Sequence, residues 1–236
     1  MIGRGFSIRP DKLQKGARRY AARGDMSTEI NNIAHFCGTV RGEAQYSHSI
    51  FSERFYSFML GVIRLSGQED VLPVIVSERL LLDVEITDGV RVCVNGQLRS
   101  YNMMTQGRSR LVLQVFAKEI CFAEEGLPDE NSVYLRGYIC KTPIYRVTPF
   151  SREIADVLLA VNRAYGKSDY IPCICWGRNA RYCRDLEISQ FMSVNGRLQS
   201  REYQKRIDTE TVETRIAYEV STAKLCLEQE ESEYFV

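Results

Sequence analysis

Between Val157 and Tyr203, aromatic and cationic side chains alternate closely enough to build a ligand face. Strand side chains point to opposite faces in turn, so a strand through this stretch sets Tyr170, Pro172, Ile174 and Trp176 on one face and Ile171, Cys173 and Cys175 on the other. The second set suits a core, and the first carries a large ring at each end. Arg163, Lys167, Arg178, Arg181, Arg197, Arg201 and Lys205 lie among these rings. Rings stack on planar groups and cations pair with phosphates. The combination suits a flexible, charged, stackable chain such as single-stranded nucleic acid. Taken one at a time, a ring in a strand is more often core than ligand site, and an exposed Arg or Lys is usually a solvated surface group.

Catalytic chemistry has few candidates. His35 and His48 are the only histidines; the first falls inside a predicted strand, the second in the loop after it, and neither has a recognisable nucleophile beside it. No Gly-rich phosphate loop and no paired-carboxylate metal motif is present. The sequence predicts a binding protein rather than an enzyme, with no catalytic residue, no metal and no cofactor. The eight cysteines lack the Cys-x-x-Cys spacing of a zinc site. Scattered among apolar runs, they are expected to be reduced, buried thiols.

The elements that must carry the rings read as β-structure. Residues 33–41, 55–65, 71–77, 90–95 and 110–118 are rich in β-branched and aromatic residues, with a short helical turn at 78–83. The pattern then repeats: Gly38, Tyr46, Phe51, Arg64, Gly67, Pro73 and Arg79 recur ninety-nine positions later as Gly137, Tyr145, Phe150, Arg163, Gly166, Pro172 and Arg178. The VNGQL at 94–98 recurs one hundred positions later as VNGRL. One offset held across so many special residues predicts a tandem duplication. The fold class is all-β with short helices, as two tandem five-stranded OB barrels. The expected domains are residues 26–122 and 132–227, joined by a polar Pro/Gly linker at 123–131.

Charge separates along the chain. Residues 1–25 hold seven Lys/Arg against two acids and read as a basic flexible arm, or as an upstream extension before Met26; residues 228–236 hold four Glu and form an acidic tail. The second repeat holds the surplus of base, which makes it the better partner for phosphates. No long apolar run predicts a membrane span, and the first residues lack the apolar centre of a secretory signal. The expected location is the cytoplasm, in association with the nucleoid.

The segments AVNRAYGKSDYIPCICWGR and VNGRLQSREY resemble the bacterial single-stranded DNA-binding proteins, whose fold is an OB barrel. The resemblance implies base stacking by Tyr165, Tyr170, Trp176 and Tyr203 and backbone contacts from Arg178 and Arg201, with Arg163, Lys167, Arg197 and Lys205 as further cationic candidates. It implies non-sequence-specific binding of single-stranded DNA in replication, recombination and repair. It also implies a homodimer supplying four OB domains, and replication or repair proteins recruited through the acidic tail. In the first repeat the four rings become Ser66, Val71, Ser77 and Met103, while Lys167, Arg197, Arg201 and Lys205 become Gln68, Gln97, Tyr101 and Thr105. A degenerate first face leaves an alternative open: an OB-fold replication accessory of the primosomal type, whose main task is to bind proteins.

Overall fold

The computed structural model describes residues 30–105, 108–206 and 212–228. The basic arm at 1–25 and residues 229–236 of the acidic tail lie outside the described residues. The first repeat is built from β1 (Asn32–Ile50), β2 (Glu53–Ile63), β3 (Glu69–Ser77), β4 (Arg91–Thr105) and β5 (Arg108–Phe122). In the second, β6 (Glu130–Ile139) and β7 (Ile144–Val147) divide the part that β1 plays alone; β8 (Glu153–Asn162), β9 (Ser168–Trp176), β10 (Phe191–Arg206) and β11 (Val212–Leu227) follow. Both repeats close in the same order. β1 pairs with β2 and β4, β2 with β3, β4 with β5, and β3 lies parallel to β5. The second ring runs β6, β8, β9, β11, β10 and back to β6, with β9 parallel to β11. This closed five-stranded ring is the OB topology. A 3-10 turn at Glu78–Leu81 fills the gap between third and fourth strands of the first barrel, and α1 (Arg178–Arg184) fills it in the second.

Alternation decides the cores. Along β8 the residues Ala155, Val157, Leu159 and Val161 are buried, and along β9 so are Ile171, Cys173 and Cys175. α1 seats on that barrel through Ala180 and Cys183, whose thiol lies 3.5 Å from that of Cys175. Gly38 and Gly137 recur because a Cβ at either would run into the carbonyl of Gly61 or Ala160 on the facing strand.

The two barrels form one sheet of eleven strands, because β1 also pairs with β6 across the seam. Ala34 faces Val133 there, and these two positions are separated by the repeat length, so a pseudo-twofold axis passes between them. A reciprocal pair of clasps flanks the axis. Asp70 of β3, fully buried, accepts from the Ser200 backbone N–H of β10 at 2.8 Å and lies 3.3 Å from Arg197 Nη1. Its repeat partner Asp169 of β9, also fully buried, accepts from the Ser100 N–H of β4 at 2.7 Å and from Arg99 at 2.9 Å. Each aspartate takes a second arginine from its own barrel, Arg64 at 2.5 Å and Arg163 at 3.3 Å.

The strands outrun their sequence signal. β1 continues to Ile50 and β4 to Thr105 as two-stranded arms whose residues are mostly exposed on both faces, which removes the alternation that marks a strand. His48, expected in a loop, lies in the β1 arm and stacks on Phe55 with ring centroids 5.1 Å apart. The expectation of eight reduced, buried thiols is corrected. Cys37 and Cys93 are joined in a disulfide, and Cys121 and Cys226 are exposed. The β1–β4 register sets Cys37 directly opposite Cys93, which fifty-six residues of sequence separation hide.

Candidate nucleic-acid interface

The outer face of β9 carries the two rings on the side that alternation assigns them. Tyr170 is 44% exposed and Trp176 40%, with half-buried Pro172 between them. Ile174 departs from the pattern: it lies on this face yet is buried, so the row of rings is interrupted by covered aliphatic surface. Ahead of the strand, Tyr165 sits in the 3-10 turn Ala164–Gly166 with a left-handed backbone, φ 62° and ψ 34°. A bulky residue adopts that conformation at a cost of roughly 1 kcal/mol or more. The turn projects the Tyr165 ring into solvent, where it is 98% exposed.

Next to the platform lies an open cleft of about 310 Å³. Leu158 and Pro172 line it together with three cations, Lys141, Arg146 and Arg201, and two acids, Asp156 and Glu219. Arg146 is held by Asp156 at 3.0 Å. Arg201 lies 3.3 Å from Glu219, which also accepts from Gln199 Nε2 at 2.8 Å, and its guanidinium covers the half-buried Tyr203 ring at 5.8 Å. Lys167 is exposed beside the Tyr165 turn, and Arg178 is exposed at the start of α1. Lys205 lies on β10 opposite Glu213; its side chain is outside the described structure.

Two of the sequence-predicted cations stand elsewhere. Arg163 and Arg197 belong to the clasps around Asp169 and Asp70, where their charge is matched inside the protein. Burial and the like charge of Arg64 hold the Arg197 guanidinium below its usual pKa, whereas Arg64 is raised by its hydrogen bond to Asp70. In their place the structure brings Lys141 and Arg146 to the cleft, residues that the sequence pattern does not single out. The ninety-nine-residue offset carried the signal, since their counterparts in the first repeat are Gly42 and Ser47.

The same face of the first barrel has been rebuilt. Ser77 stands where Trp176 does, accepts from the Arg79 N–H at 3.2 Å as an N-cap and donates to Glu53. Val71, in place of Tyr170, brings no ring but keeps the backbone contact, its N–H donating to Ser200 Oγ at 3.3 Å as that of Tyr170 does to Ser100 Oγ at 2.7 Å.

Comparison with known proteins follows this geometry. Residues 130–224, nearly all of the second barrel, match the model of the Single-strand binding protein family. The Single-stranded DNA-binding protein B of Bacillus subtilis is 33% identical over 84 residues, covering 31% of this chain and 72% of that protein. The chain belongs to the single-strand binding protein family. Another member, the Single-stranded DNA-binding protein 1 of Staphylococcus aureus, is 36% identical over 83 residues, 32% of this chain; the chain spans about half the length of that relative. In fold, the single-stranded DNA binding protein from Thermus aquaticus superposes on nearly the whole family member. Its deletion-mutant crystal structure matches with TM-score 0.68 and 20% identity, over 87% of this chain and 98% of that one. The wild-type structure gives 0.67 and 21%, over 84% and 93%. The match extends across both barrels.

Proposed function

We propose that this chain binds single-stranded DNA without sequence preference, and that the second barrel does most of the binding. The observation that carries the reading is the exposed row Tyr165, Tyr170 and Trp176 beside Lys167, Arg178 and the Lys141–Arg146–Arg201 cleft, set against its replacement in the first barrel. Phosphates meet the exposed Lys141, Lys167 and Arg178 and compete with Asp156 and Glu219 for Arg146 and Arg201, releasing counterions while bases stack on the rings, with Tyr203 under Arg201 as a fourth. Arg197 acts from behind, by joining the barrels through Asp70, and Arg163 braces Asp169 within its own barrel. The domains are residues 26–122 and 132–227 with the linker at 123–131, in which Asp129 is strapped to the first barrel by Arg91 at 2.7 Å and by the Ile63 N–H at 2.7 Å. The role is non-catalytic protection of exposed strands in the bacterial cytoplasm, performed by a homodimer of four barrels whose acidic tail recruits replication or repair proteins. Among the described residues no helix is long and apolar enough to cross a membrane, and no group of His, Cys, Asp and Glu is placed to hold a metal.

Titration with oligo-dT at low and high salt, followed by tryptophan fluorescence, tests the reading, because Trp176 is the single tryptophan. Quenching that salt weakens and duplex DNA does not reproduce is the expected result. Unchanged emission together with no band shift would sink it. A protein-binding accessory role is the second reading, favoured by the rebuilt face of the first barrel, and that result would put it first.

A further inference from the structure

Three cysteines form a single row across the first barrel. Cys37 of β1 is the register partner of Cys93 of β4, and Cys93 is in turn the register partner of Cys121 of β5. Residues directly opposite in antiparallel ladders share a face with Cα atoms about 4.5 or 5.5 Å apart, a spacing that a disulfide spans. Cys37 and Cys93 hold the bond, and Cys121 is a free, exposed thiol next to it. The row is flanked by a polar group. His35, on the same face of β1, has Nε2 3.5 Å from Cys37 Sγ and 3.0 Å from Glu130 Oε2 of β6. Its Nδ1 lies 2.6 Å from Asn95 Oδ1, and the Asn95 amide donates to Glu119 at 3.2 Å. The second barrel lacks the row, since the same register there reads Arg136, Ser193 and Cys226.

We propose that this row is an internal thiol–disulfide exchange site, in which the bond moves between Cys37–Cys93 and Cys93–Cys121. Thiolate attack on a disulfide requires the nucleophile opposite the leaving sulfur. A row across three adjacent strands supplies that alignment, because Cys93 lies between Cys121 and Cys37. Cys121 loses its proton to solvent and its thiolate bonds to Cys93 Sγ. The Cys93–Cys37 bond breaks, and its electron pair leaves on Cys37 Sγ, which takes a proton from solvent by way of His35 Nε2. One disulfide and one thiol enter, and one of each leaves, so no external oxidant is consumed. Cys121 is the exposed end through which small thiols and disulfides reach a bond whose other end, Cys37, is buried. Disulfides that persist in reducing compartments are commonly exchange or sensing sites, which fits a bond with a resolving thiol beside it.

Trypsin separates the three cysteines, cutting after Arg41, Arg91, Arg99 and Lys118. The folded full-length chain is incubated at pH 8 in a glutathione redox buffer, quenched in acid, alkylated and mapped without reduction. The expected map contains both the Cys37–Cys93 and the Cys93–Cys121 linked peptides, and Cys121→Ser removes the second while retaining the first. In Cys37→Ala the Cys93–Cys121 pair is expected to form at least tenfold faster than any pair to another cysteine. A wild-type map in which Cys121 is fully alkylated and Cys93 is never linked to it overturns the proposal, whether or not the variants fold. So does a map with neither linkage.

Discussion

At the scale of single residues, substitutions of Trp176 and Tyr165 test the proposed stacking role apart from folding. Tyr165 is almost wholly in solvent and Trp176 is 40% exposed, and neither belongs to the buried cores. A base stacked on an aromatic contributes about 1–3 kcal/mol by alanine substitution, equivalent to roughly 5- to 150-fold in affinity. Trp176→Ala and Tyr165→Ala are therefore expected to weaken oligo-dT binding within that range, measured by anisotropy of a labelled oligonucleotide. The urea midpoint stays in place for Tyr165→Ala and falls modestly for Trp176→Ala, whose ring is partly covered. Tyr165→Gly should even raise the midpoint slightly, since glycine adopts the left-handed backbone at φ 62° without strain. A loss of stability on removing the Tyr165 ring would show it to be packed against the fold. The cations divide in the same manner. Each phosphate contact contributes about 0.7 to the slope of log K against log salt for a single strand, so Lys167→Ala should lower the slope by about that amount. Arg197→Ala should lower the urea midpoint and leave the slope unchanged, because its charge is already matched by Asp70.

At the scale of elements, β9 is legible in the sequence and the seam is not. A strand's period of two fixes which residues face solvent, so the spacing of Tyr170 and Trp176 alone assigns them to one side. Ile174 breaks the rule because alternation gives the side and not what covers it. Lys141 and Arg146 lie in a polar stretch that carries no period, and only the fold brings them beside Arg201. The same limit hides the cysteine row, whose members lie on three strands and become neighbours through register alone. Glycine, in contrast, announces itself through the repeat. Gly137→Val would press a side chain against the Ala160 carbonyl, 2.5 Å from the position of the added Cβ, where the ladder of β6 with β8 closes the second barrel. That barrel is expected to open at this seam, with hydrogen exchange faster in β6 and β8 than in β2 and β3.

At the scale of the whole molecule, the duplication builds a dimer-like body from one chain, and its two halves are held by buried charge. Asp70 and Asp169 are each fully enclosed, and each carboxylate is met by an arginine from both barrels and by a backbone N–H from the opposite one. Taking such a carboxylate out of water is costly, and it is offset at Asp70 by hydrogen bonds to both oxygens from Arg64, Arg197 and Ser200, and at Asp169 by two hydrogen bonds and the nearby charge of Arg163. Removing the carboxylate leaves a backbone N–H and two partly exposed arginines without that counterpart, which costs up to the ~3–5 kcal/mol typical of a fully buried pair. Asp70→Ala strands Arg64, Arg197 and the Ser200 N–H, whereas Asp169→Ala strands Arg99, Arg163 and the Ser100 N–H. Either change is expected to lower urea stability by an amount in that range. The two sites lie on opposite sides of the pseudo-twofold axis and share no partner. If the barrels unfold as one cooperative unit, the double variant should lose roughly the sum of the two single losses. If either clasp alone holds the barrels together, the first loss should be small and the second large, with a separate unfolding phase for each barrel. The shared β1–β6 ladder favours the additive outcome, because it joins the barrels independently of both aspartates.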